Sequence, residues 1–148
     1  MKTLTVWQPW ASLIAFGEKQ FETRSWTTKY RGPLAIHAGR RFTMQQQTLC
    51  WQLPFASALI RHSVHTPADL PMGRVVCIAD LIDVVPTHGY RSQLSKQELI
   101  FGDYRDGRYA WKLANVHVLC NALPATGRQG LWEWPYTLGP FAKAVEKS

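Results

Sequence analysis

The stretch Gly17-Glu18-Lys19-Gln20-Phe21-Glu22-Thr23-Arg24 constrains this chain more than any other. A short apolar run from Trp10 to Phe16 precedes it, with Trp10, Leu13, Ile14 and Gly17 at the spacing of one helix stripe. Gly17 stands where a helix takes a left-handed cap. After it the period changes to two, which predicts a strand with Phe21 and Thr23 on one face and Glu22 and Arg24 on the other. That strand is expected to start near Lys19, in the turn itself, and to run from about Gln20 to Trp26. Ionisable groups of both signs therefore crowd one helix-to-strand junction. Surface ion pairs contribute little to stability, so the crowding reads as a site.

The chain has 148 residues, which predicts one domain over 1–148, with a core at about 4–135 and a tail at 136–148. A chain of this length buries about 68–70% of its unfolded surface and needs no staples. With 46% hydrophobic and 18% charged residues it is globular rather than disordered. Met1-Lys2-Thr3-Leu4 is not the start of a signal peptide, and no run approaches a membrane span. Both points predict a cytoplasmic protein with no membrane partner. Cys50, Cys77 and Cys120 lie far apart in apolar surroundings and are read as reduced and buried. His62 and His65 form a lone HxxH with no cysteine or acid at metal spacing, and they read as two exposed loop histidines. No metal and no cofactor is expected.

The net charge is +7, and residues 1–41 hold seven basic residues against Glu18 and Glu22. The same stretch holds Trp7, Trp10, Trp26 and Tyr30. Basic residues interleaved with aromatics suit a polyanion that carries stackable bases. The alternative is a soluble basic surface over a tryptophan-rich core.

Along the chain, Leu4 to Val6 reads as a first strand and Leu34 to Gly39 as another, with His37 its only ionisable group. His37 is either satisfied inside the sheet or a cleft residue beside an anion-binding rim, Gly39-Arg40-Arg41. Thr43 and Gln46 form a capping box, which predicts a helix to about Gln52. Pro54 either stops that helix or starts a second short one through about Arg61, with Trp51, Phe55 and Leu59 packed on the sheet. Arg74 to Val85 reads as a central buried strand, interrupted by Asp80 and Asp83, one reaching a cleft and the other solvent. Ser95 to Glu98 repeats the capping-box pattern, and Asp106-Gly107 signals a hairpin. Strands follow at Arg108 to Leu113, Val116 to Cys120 and Leu131 to Pro135, with Gly127-Arg128-Gln129-Gly130 as a loop. The prediction is an α+β fold, a small mixed β-barrel of about six strands with a few peripheral helices.

Gly17, Lys19, Glu22 and Arg24 resemble the G-x-K-x-x-E-x-R motif of ASCH domains in the PUA-like superfamily. The opening Gln8-Pro9-Trp10-Ala11, the strand Gly32 to Ala38, Gly73 to Val76 with Asp80, Tyr109 to Leu113 and Gly130 to Trp132 are similar to family segments in the same order. The resemblance implies a PUA-like barrel with a cleft near the motif, and a role in binding RNA or modified nucleotides. It also implies a second possibility, since one branch deacylates N4-acetylcytidine and ribonuclease activity occurs in others. Lys19 takes the place of the catalytic lysine of the deacylating branch; where this chain has Glu22, that branch has threonine.

Two functions follow. The first is a binding module whose partner is single-stranded RNA or a modified nucleoside or nucleotide, with a ligand-binding set of Trp7, Gln8, Lys19, Glu22, Arg24, Trp26, His37 and Arg40. Trp7 or Trp26 would stack a base, Lys19, Arg24 and Arg40 would hold phosphate, and Glu22 would accept from an exocyclic amine. The second is a small hydrolase acting on an N4-acetylcytidine-type amide or on RNA, with Lys19 and Glu22 as its catalytic groups. A third alternative is a plain ion-pair cluster fixing the barrel mouth.

Overall fold

A computed structural model describes residues 1–136. The chain runs β1 (Lys2–Val6), α1 (Trp10–Ala15), β2 (Phe21–Arg24), β3 (Gly32–Ala38), α2 (Met44–Leu49), α3 (Phe55–Ile60), β4 (Arg74–Pro86), α4 (Lys96–Phe101), β5 (Tyr109–Pro124) and β6 (Leu131–Glu133). The six strands form one mixed sheet in the order β2-β5-β4-β3-β1-β6, curled into a half-barrel and accompanied by four short helices. β1 and β3 run parallel, and the other pairings are antiparallel. This is the expected α+β class.

β4 lies between β3 and β5, and Val75 to Ala79 are buried without a break, as a strand covered on both faces requires. Where the sequence predicts two strands, β5 is one strand of 16 residues, kinked at Asn115, which takes φ +52°. Asparagine tolerates this left-handed conformation better than most residues, so the ladder with β4 continues through register shifts instead of ending. Asn115 also donates to Asp80 at 2.9 Å. A register shift between Leu81 and Asp83 leaves Asp83 in solvent, 3.7 Å from Arg31. Neither aspartate reaches the cleft. Asp106-Gly107 turns the chain into β5, but the connection from β4 carries α4 and is no tight hairpin.

One core cluster lies between the sheet and α1, around Leu4, Ile14, Ile36 and Trp111. A second packs the helices on one another through Leu13, Phe55, Leu59 and Phe101. Phe55 and Leu59, expected on the sheet, thus pack among the helices instead, because α3 lies against α1 and α4. Trp51, expected there too, is 61% exposed, since it follows the last turn of α2, outside both clusters. Cys50 and Cys77 are buried, and burial pushes both thiols up, that of Cys50 to about 11. Cys120 is exposed, against expectation, because it falls on the outer face of β5. His62 is not a free loop residue: its ring stacks on Phe16 at 4.5 Å and its Nε2 meets Glu18 at 2.9 Å. Among the described residues no helix is long and apolar enough to cross a membrane. Residues 137–148, most of the expected tail, lie outside the described residues.

β2 and β6 are the two edges of the curled sheet. β6 covers β1 only from Lys2 to Leu4. Thr5 is thus left at an open seam, and its carbonyl accepts from Arg24 Nη2 on β2 at 2.6 Å.

Candidate functional site

The motif begins where α1 ends. Gly17, at φ +79°, donates its N–H to Ile14 O, and Glu18 donates to Leu13 O, the paired bonds of a Schellman cap. Lys19 N–H also bonds to Leu13 O at 3.1 Å, which hooks the chain back toward the helix. The Lys19 side chain is only 1% exposed, and its Nζ has no hydrogen-bond partner. It stands 3.8 Å from Glu22 Oε1. Burial pulls the Lys19 amine below its usual range, against the opposing pull of Glu22 and Glu98. Glu98, on α4, accepts from Gln20 N–H and Phe21 N–H at 2.9 and 3.3 Å, in place of a neighbouring strand on the β2 edge. Burial pushes the Glu98 carboxyl up, while those two N–H groups and Lys19 pull it down. The sequence places Lys19 in the open cleft. It lies behind Glu22 instead and does not line the cleft, because the helix cap turns it inward.

A cleft of about 1120 Å³ opens at the seam. Glu22 and Arg24 share its floor, joined by Arg24 Nε to Glu22 Oε2 at 3.0 Å. Phe21 faces away, packed with Tyr104 and Ala110. Thr23, expected to face away too, touches the cleft edge and accepts there from Asp103 N–H at 2.9 Å. Trp7 lines the cleft and is 46% exposed, with the Arg41 guanidinium 4.8 Å from its ring. Trp26 also lines the cleft, but it is half-buried and packs edge-on against Trp111 at 4.9 Å. Its larger share goes to the core.

Gln8, placed in the ligand set from sequence, is fully buried and absent from the cleft. Its amide donates to Ser12 Oγ and Pro71 O at 2.7 and 2.8 Å and accepts from Ser12 N–H, so it braces the start of α1. His37 borders the cleft, yet both ring nitrogens are engaged. Nε2 meets Ala125 O at 2.8 Å, and a carbonyl only accepts, so Nε2 carries the proton. Nδ1 then accepts from the Thr5 hydroxyl at 3.2 Å. Burial, joined by the charge of Arg40, lowers the His37 pKa, against the Ala125 bond. A neutral, doubly bonded imidazole leaves no nitrogen free for acid–base work.

Arg40 reaches the cleft across Gly73. A Cβ there would come within 2.7 Å of the guanidinium, and Gly73 has φ +65°. Arg41, the other arginine of the expected rim, lines the cleft too, and the structure adds residues that the sequence reading leaves out of the site: Trp10, Asp103, Arg108 and Arg128. The only sequence signal for Arg128 is its place between two glycines in a loop. Glu22 pairs with Lys19 and Arg24, and Asp103 with Arg105 and Arg108. Arg40, Arg41 and Arg128 have no acidic partner among the described residues. The lining thus combines an exposed aromatic face, uncompensated guanidinium groups and two carboxylates, Glu22 and Asp103, each paired with basic residues. Among the described residues no three His, Cys, Asp or Glu side chains gather to hold a metal ion.

The model of the ASCH domain matches residues 4–121. Activating signal cointegrator 1 of Homo sapiens is 30% identical over 131 residues, and that of Mus musculus over 132. Each alignment covers 88% of this chain but 22% of the relative, so the chain spans about a fifth of their length. The crystal structure of ASCH from Zymomonas mobilis superposes with a TM-score of 0.54 at 16% identity, covering 90% of this chain and 87% of that one. A point mutant of the same Zymomonas mobilis protein gives the same score, covering 90% of each chain. The structural likeness carries the fold, and the sequence match over most of the chain carries the family: this chain belongs to the ASCH domain family, with its PUA-like fold.

Proposed function

We propose that the cleft binds single-stranded RNA, or a single nucleotide of it, by stacking a base on Trp7 and holding phosphate with Arg40 and Arg41. The observation that carries this reading is the exposed Trp7 ring with Arg41 4.8 Å from it and Arg40 in the same cleft, neither arginine having an acidic partner among the described residues. A solvated basic surface would have no need of a concave aromatic site. ASCH membership supports it too, since that fold is associated with RNA binding. Single-strand recognition suits a one-cleft site because every base offers a π-face, whereas duplex readout needs an element that fits a groove. Glu22 offers the stacked base an acceptor for an exocyclic amine.

The test is fluorescence anisotropy with a short single-stranded RNA over a range of salt. If three to five phosphates are contacted, log K falls with log salt at a slope of roughly −2 to −3.5. Arg40→Ala flattens that slope by about 0.7. Trp7→Ala weakens binding by ~1–3 kcal/mol and leaves the slope unchanged. A wild-type protein with no RNA affinity at low salt refutes the reading.

A second reading, an amide hydrolase, is favoured by one observation: Lys19 Nζ makes no hydrogen bond, and burial shifts it toward the neutral amine against the pull of the cleft-floor Glu22, 3.8 Å away. Its substrate would reach the amine only by displacing Glu22. Turnover of N4-acetylcytidine that Lys19→Met abolishes, in a protein without RNA affinity, puts this reading first.

A further inference from the structure

The connection between β5 and β6 lies beyond the ASCH match, which ends at residue 121. It is nevertheless built onto the cleft. Ala125 is held from both sides of its backbone: its N–H donates to Gly73 O at 3.0 Å, and its carbonyl accepts from His37 Nε2 at 2.8 Å. The far end is tied to the same imidazole. Trp132 of β6 donates its Nε1–H to the Thr5 hydroxyl at 3.1 Å, and that hydroxyl donates to His37 Nδ1. Between these anchors the backbone of Gly127 rests directly on the ring. A Cβ at Gly127 would stand 2.7 Å from His37 Cε1 and 2.9 Å from Thr5 Oγ1, and neither atom can yield, because both groups are hydrogen-bonded in place.

Next in sequence is Arg128, exposed, lining the cleft and without an acidic partner among the described residues. Arg40 reaches the same rim from the other segment. Its guanidinium lies over Gly73, whose carbonyl holds Ala125, and its charge is felt at His37. Two uncompensated guanidiniums are thus carried on adjoining backbone segments, both fixed to His37 or its neighbours. Side chains that merely solvate a surface need no such anchoring.

We propose that residues 125–130 form a phosphate-gripping arm of the cleft, in which Arg128 contacts a phosphate group together with Arg40, and His37 is the positioning residue that holds the arm. The ligand class is a nucleotide or oligonucleotide phosphate rather than a bare nucleoside. The RNA part of the test rests on the proposed function, and the pyrophosphate part does not.

The first arm of the test follows ¹⁵N–¹H spectra of the whole chain during titration with inorganic pyrophosphate. Shifts of the Gly127 amide and the Arg128 Nε–H, lost in Arg128→Ala, support the arm; spectra unchanged over 126–130 overturn it, whatever RNA does. The second arm measures RNA affinity against salt. Arg128→Ala is expected to flatten the slope by about 0.7 and to weaken binding roughly fivefold at 0.1 M salt. Gly127→Ala and His37→Phe are each expected to reproduce that loss and to add nothing further in the Arg128→Ala background, the non-additivity of groups acting as one. If His37→Phe does not fold, Gly127→Ala, a local change in an exposed loop, decides alone. Wild-type RNA binding with an Arg128→Ala slope equal to the wild type overturns the arm and leaves the proposed function standing. Additive losses in the double variants overturn the positioning role of His37.

Discussion

Lys19 is buried just past the end of α1, with its amine 3.8 Å from Glu22 Oε1 and no hydrogen bond. A lysine at a turn is ordinarily solvated, and nothing local in Gly17 to Arg24 signals otherwise. The inward hook comes from Leu13 O, which accepts from both Glu18 and Lys19, and from α4 closing over the junction through Glu98. Buried charges are costly unless well paired, and a contact of 3.8 Å with no hydrogen bond is poor pairing. Lys19→Met keeps the volume and removes the buried ammonium. Glu22 keeps Arg24, but Glu98 loses a cation that pulls its carboxyl down. A group whose folded pKa is raised destabilises the fold as pH rises from its ordinary value through the folded one. Loss of Lys19 carries that folded value higher. In urea unfolding, Lys19→Met is therefore expected to lie within about 1 kcal/mol of wild type near pH 5 and to fall progressively behind toward pH 8. Lys19→Ala adds a cavity cost of about 2–4 kcal/mol at every pH. A Lys19→Met deficit that does not change with pH contradicts this account.

At the scale of elements, caps are legible in the sequence and continuity is not. Thr43 and Gln46 form the expected capping box, and Ser95 accepts from Glu98 N–H as its sequence pattern predicts. The side chain of Glu98, however, does not close the second box. It turns to the β2 edge, a long-range demand invisible to a local motif. Likewise Ala114-Asn115 reads as a break because asparagine favours turns, while pairing with β4 carries the strand through the kink. Glu18 ties three elements together: the end of α1, the end of α3 through Arg61 at 2.8 Å and His62 at 2.9 Å, and α4 through Gln97 at 3.2 Å. Chiefly because Arg61 bonds to it, the Glu18 carboxyl falls from its ordinary 4.5 to about 2. A lowered folded value stabilises the fold above pH 4.5, and that stability is lost as pH falls toward 2. Allowing for the exposure of Arg61, the loss amounts to about 1–3 kcal/mol. Glu18→Gln should flatten the stability profile between those two pH values, as read by thermal unfolding. An acid limb as steep as that of the wild type contradicts the assignment.

For the whole molecule, the α+β class is legible from the apolar patterning, because a strand buried on one face shows period two and one covered on both reads as a continuous apolar run, as in β4; the strand count is legible only to within the division of β5. The order β2-β5-β4-β3-β1-β6 is not, since it depends on which edges the curl leaves open. That order explains why the basic surplus of residues 1–41 becomes a site. The turn after β1, the strand β2 and the turn after β3 all meet at the seam where Arg24 spans to Thr5. Trp7, Arg24 and Arg40 are therefore legible as cleft residues from their clustering in sequence. Arg108 and Arg128 are not, because they come to the cleft from beyond residue 100 through the fold alone. The exposed apolar residues Met44, Trp51 and Leu53 lie on the α2–α3 side and supply the natural comparison surface. The most direct measurement is the ¹⁵N–¹H footprint of a short single-stranded RNA on the protein at low salt. The account predicts shifts at the Trp7 indole, at Arg24, and across Gly39 to Arg41. Shifts confined to Met44, Trp51 and Leu53, with the seam silent, contradict it.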